Sequence, residues 1–157
     1  MDRIVVFLHV AAMFAAVGVS VVPEILMHRL ADKGDVRGVR SFGGVFRSFA
    51  RSIPILFVGG TVLGLVAVAL IPGYDYTQMW LVIAYLLVAI GLVLGGAIQG
   101  PWGNRLVQAA ITSPEDQPSA EFRAIAADPR AKMALYGGVL ATVLAILDMV
   151  VKPGLGS

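Results

Sequence analysis

The chain has 157 residues, of which 58% are hydrophobic and 14% charged; it has no cysteine and a formal net charge of +2. A soluble domain carries about 25% charged residues, so this composition excludes an ordinary cytosolic domain, a disordered chain and a nucleic-acid binder. The lack of cysteine also excludes disulfides, thiolate metal sites, iron–sulfur clusters and c-type haem attachment.

A bilayer core about 30 Å thick takes roughly 20 helical residues. Four apolar blocks meet that length and predict spans over about 4–27, 53–71, 79–99 and 134–151, with loops 28–52 and 100–133. The expectation is one all-α transmembrane domain over residues 1–157. The first block is longer than the apolar stretch of a signal peptide and lacks a small-x-small cleavage site, so it reads as a retained helix.

His9 lies about five residues inside the first span, roughly 7–8 Å deep at 1.5 Å per residue. Met13 is one turn further along the same face, and Ala12, Ala16 and Ser20 form a line of small residues. Glu24 and His28 are an i, i+4 pair near the other end of this span, after Pro23. They read as an interfacial ion pair, with a second ligand site or a proton entry as the alternative.

The loop that follows has helical periodicity. Val36, Val39, Phe42, Val45, Phe46 and Phe49 recur at three- and four-residue spacing, with Arg37, Arg40, Arg47 and Arg51 largely on the other side. This pattern suits either an amphipathic segment lying against anionic headgroups or a simple extension of the second span. Gly60 and Gly64 on the second span, and Gly91/Gly95 and Gly96/Gly100 on the third, are spaced for close helix crossing. That crossing is either within the bundle or across a homodimer seam.

Pro72-Gly73-Tyr74-Asp75-Tyr76 is a turn that makes the second and third spans antiparallel neighbours, and Tyr74, Tyr76 and Trp80 fall where an aromatic belt is expected. The second long loop carries Pro114, Pro118 and Pro129 as breakers and a short helix over 120–127 with Ser119 as its N-cap.

Of the 12 Lys and Arg residues, 10 lie in the two long loops; only Arg3 and Lys152 lie at the opposite ends of the spans. The positive-inside rule then makes both loops cytoplasmic and both termini external, in an up-and-down bundle in a bacterial inner membrane.

An ionisable residue within a span points to a functional site, because burying it in lipid is costly. Asp148 lies about one turn inside the fourth span, at a depth matching His9, and Tyr85 on the third span is comparable. His9, Tyr85 and Asp148 therefore outline a pocket near the outer leaflet, closed by Lys152. Imidazole suits haem b or copper, and the Met13 thioether suits Cu(I), so the candidate metal ligands are His9, Met13 and Asp148. A His–Asp proton relay and a purely structural hydrogen bond use the same residues.

Leu8-His9, Gly18, Pro23 with basic residues behind it, and the terminal Met149-Val150-Val151-Lys152-Pro153 give the chain a further likeness. It resembles small bacterial four-helix membrane proteins: the copper-resistance D-like proteins, the HemJ-type protoporphyrinogen oxidases and, most closely, an uncharacterised family of integral membrane proteins. The resemblance implies a haem-associated histidine at His9 and a partner lysine at Lys152. The tryptophan that often follows the histidine in HemJ-type proteins is missing, since Met13 to Ala16 occupy that region. Three function classes follow. They are a haem-linked oxidoreductase, a copper or small-solute carrier, and a structural or assembly subunit that binds no cofactor.

Overall fold

The computed structural model describes residues 2–114 and 117–154, with side chains at all of these except 2, 49 and 50. Among the described residues there are helices and no strands: α1 (Asp2–Asp32), α2 (Val36–Leu70), α3 (Met79–Val93), a π-helical segment (Leu94–Gln99), α4 (Gly100–Thr112), α5 (Ala120–Ala126) and α6 (Pro129–Val151). Four stretches are long and apolar enough to cross a membrane: Arg3–Asp32, Val36–Leu70, Met79–Thr112 and Ala120–Val151.

The expected loop 28–52 is helical for nearly all of its length. α1 ends in a tight turn at Gly34, whose φ of +66° suits a residue without Cβ. The Asp35 N–H donates to Leu30 O and the Gly34 N–H to Ala31 O, which is the Schellman pattern of helix termination. Asp35 then caps α2 by accepting from the Gly38 N–H at 2.7 Å. At 35 residues α2 is about 52 Å long, well beyond the thickness of a bilayer core.

The third span is also longer than its apolar block. Helix continues from α3 through the π segment into α4 and stops only at Ser113. Gly100, Pro101 and Gly103 read as breakers in the sequence. Pro101 directly follows the π segment, where the regular i to i−4 bonding is already interrupted, and a Cβ on Gly103 would lie 2.7 Å from the Phe46 ring, so that glycine lets α2 approach. The short helix α5 forms as expected, with the Ser119 hydroxyl accepting from the Phe122 N–H at 3.0 Å.

These extensions build a compact core at the basic end of the molecule. Met27 and Ala31 of α1 meet Val36, Val39 and Phe46 of α2, Trp102, Leu106, Val107, Ala109 and Ala110 of α4, Phe122 and Ala126 of α5, and Ala131 of α6. The apolar face of residues 36–46 is therefore buried against protein. Phe42 joins that core, Val45 is exposed, and the Phe49 side chain lies outside the described residues. Arg40 ties α2 to the end of α4 by donating to the carbonyls of Ala110 (2.8 Å) and Ser113 (3.0 Å).

Towards the other end, large aliphatic and aromatic side chains face outward, among them Phe14 (82% exposed), Val150 and Ile55. Here the helices pair as α1 with α2 and α3 with α6, whereas α2 and α3 hardly touch along their length. The turn between them is short, but the close-approach glycines of α2 face α1: a Cβ on Gly60 would meet Met13 Sδ at 2.7 Å, and one on Gly64 would meet the His9 ring at 2.8 Å. Gly91, Gly95 and Gly96 have no atom within 4 Å of such a Cβ. The first glycine pair is thus a seam inside the molecule, and the others border open space.

Candidate functional site

The space between the helices is a cavity of about 270 Å³ bordered by all four spans. Ser20, Pro23 and Glu24 of α1 line it, together with Phe46, Pro54 and Phe57 of α2. Gly91, Gly95, Gly96 and Gln99 from the α3–α4 stretch and Gly138 and Thr142 of α6 complete the wall. The π segment supplies Leu94, Gly95, Gly96 and Gln99 to the wall; such segments are rare and frequently occur at functional sites.

Glu24 opens into this cavity with no hydrogen bond or ion pair to any described residue. The expected Glu24–His28 ion pair is not formed. One turn along α1, His28 is buried and stacked on the Trp102 ring, with centroids 3.9 Å apart and planes 9° from parallel. Gln99 fixes its tautomer. The amide nitrogen of Gln99 donates to Ala131 O at 2.7 Å, so its oxygen accepts from His28 Nε2–H at 3.2 Å. His28 Nδ1 then carries a lone pair and has no partner. The Trp102 indole is held in turn by donating to Ile125 O at 2.9 Å.

The residues that the sequence singles out at the opposite end from the basic core lie in separate contacts. His9 is half-buried against α2, and its Nδ1–H donates to Gly60 O at 2.7 Å, leaving Nε2 as the free lone pair. A histidine oriented this way by a backbone carbonyl is the usual arrangement of a haem or metal ligand. Met13, one turn away, also lies against Gly60. Asp148 is buried with neither carboxylate oxygen hydrogen-bonded, so it is not paired with His9. Tyr85 is exposed. Among the described residues, no three His, Cys, Asp or Glu side chains come together.

Lys152 is taken up elsewhere. It ends α6 in the left-handed conformation (φ 45°), and its ammonium donates to the Tyr74 hydroxyl while lying 4.8 Å from the Tyr74 ring centroid and 5.2 Å from that of Trp80. Trp80 is buried beside Val68, Leu81, Met149 and Tyr74, so it anchors helix to helix, whereas Tyr76 stays exposed as a belt residue would be. In the turn, Asp75 accepts from the Thr77 hydroxyl and N–H, which hold its carboxyl below the usual carboxylate range.

Sequence reasoning missed Gln99, Trp102 and the cavity itself. A glutamine closing an apolar span, followed at helical spacing by Trp102, Leu106, Val107 and Ala110, was the available signal. No protein-family model, no curated protein and no solved structure matches the chain.

Proposed function

We propose that this chain is a multi-pass protein of the bacterial inner membrane, with both termini outside and the basic core in the cytoplasm, that binds a small, largely apolar ligand between its helices. Among the earlier function classes this is the small-solute carrier. One observation carries the reading: all four spans border a cavity whose carboxylate, Glu24, has no partner among the described residues. A carboxylate kept at membrane depth without a partner is costly, and function is its usual justification. A Cβ on Gly138 would meet no atom within 4 Å, so Gly138→Leu introduces its side chain at the cavity wall. Native mass spectrometry of protein extracted from membranes should show a small-molecule adduct that this variant loses. An adduct retained by the variant, or none in the wild type, counts against the reading.

A second reading is a haem- or copper-binding protein of the copper-resistance D-like or HemJ type, ligated through His9. Its support is the bond from Nδ1 to Gly60 O, which presents Nε2 as a ligand. Lys152 is engaged with Tyr74 and Trp80 and does not supply a second ligand in this arrangement. An absorption spectrum and metal content lost in His9→Ala would favour this reading, and a colourless, metal-free protein would remove it.

A further inference from the structure

We propose that the ligand of the central cavity is a small organic cation: an amine or quaternary ammonium carrying an apolar body. This inference rests on the reading that the cavity binds a ligand at all, and it specifies the ligand's charge.

The argument starts from charge. Among the described residues lining the cavity, Glu24 is the only charged one, and no Lys, Arg or His is with it. With no cation among the described residues of the cavity wall to balance it, the complement of the site is one positive charge.

The walls decide which kind of cation. A hard metal ion replaces its hydration shell with six or more oxygen ligands. Here the Gln99 amide is already spent on His28 and Ala131, which leaves the side-chain oxygens of Glu24, Ser20, Thr142 and Asn104, fewer than such a shell needs. Most of the remaining wall is aliphatic or glycine, with the rings of Phe46 and Phe57. Such a surface desolvates a weakly hydrated, greasy cation cheaply, and aromatic faces attract it. The volume of about 270 Å³ lies at the small end of ligand pockets, which limits the body to a short chain or a single ring.

The test compares two probes of one shape in purified protein in neutral detergent. Choline is a permanent cation, and 3,3-dimethylbutan-1-ol is its uncharged isostere; binding of each is measured by calorimetry for wild type, Glu24→Gln and Gly138→Leu. The proposal expects choline to bind wild type more tightly than the alcohol. Glu24→Gln should weaken choline by about thirtyfold or more, the lower end of what removing one partner of a buried charge pair does, and leave the alcohol unchanged. Gly138→Leu should abolish both, with unfolding curves showing that each variant is folded. Equal binding of the two probes, indifferent to Glu24→Gln but lost in Gly138→Leu, overturns the cationic ligand and leaves the cavity reading intact. Absence of binding by either probe, or binding untouched by Gly138→Leu, overturns both.

Discussion

The two ends of this molecule are held together by different forces. At the basic end, Met27, Val39, Trp102, Leu106 and Phe122 are almost entirely shielded, as in the core of a water-soluble helical protein. Across the spans, most of the large apolar side chains point outward, and contact between α1 and α2 comes from glycines that admit a methionine and a histidine. In lipid, turning a leucine inward gains little, because the tails are as apolar as the side chain. In water the same burial gains about 25 cal/mol per Å². The basic end can therefore be built by hydrophobic packing, while the spans need close backbone approach and hydrogen bonds such as His9 to Gly60.

The sharpest way to break this contrast is to truncate a large side chain in each region. Trp102→Ala removes a buried ring, unstacks His28 and takes one donor from Ile125 O, which keeps the Asp128 N–H, at an expected cost of about 3–5 kcal/mol. Phe14→Ala, on an 82% exposed ring, should change stability by less than about 0.5 kcal/mol. Denaturant titration in detergent micelles measures both, and equal costs would erase the distinction. A smaller effect separates glycines by their neighbours. Gly64→Ala pushes a methyl into the His9 ring and should cost about 1–3 kcal/mol, whereas Gly59→Ala meets no atom within 4 Å and should be neutral or stabilising by up to about 1 kcal/mol.

The smallest effect concerns the turn between α2 and α3. Because the folded Asp75 carboxyl titrates below its unfolded value of about 3.9, its stabilising contribution is full above that pH and fades as pH falls through the folded value. Asp75→Asn should remove this acid-side dependence and, near pH 7, lose the small stabilisation that the charged carboxylate gives there. An unaltered acid limb in the pH–stability profile would show that the Thr77 hydrogen bonds carry no weight.

Much of this was legible in the chain. The four apolar blocks, the Ser119 cap and the glycine spacing of Gly60 and Gly64 all follow from local rules, and each recurs in the structure. The helical reach of residues 100–112 was hidden because Pro101 and Gly103 read locally as breakers, whereas the π segment and the Phe46 contact are long-range facts. His28 looked like a surface partner of Glu24 because i, i+4 neighbours are visible in sequence, and its true neighbours, Gln99 and Trp102, lie 71 and 74 positions away. The cavity was invisible for a related reason: spacing says where helices can approach, and here α2 and α3 stay apart.

The π segment has a consequence for helical phase. Relative to an uninterrupted α-helix, a π turn holds one surplus residue, and one residue is about 100° of rotation. The face of α4 that carries Trp102 and Leu106 is thus turned by about one residue's rotation from where numbering alone would put it relative to the Leu86, Ile90 and Val93 row of α3. Deleting Gly96 would return the stretch to α-helical winding. Because the π turn already absorbs the surplus residue, that deletion would keep the indole in phase with the His28 ring, whereas straightening the stretch with Gly96 retained would turn it away by about 100°.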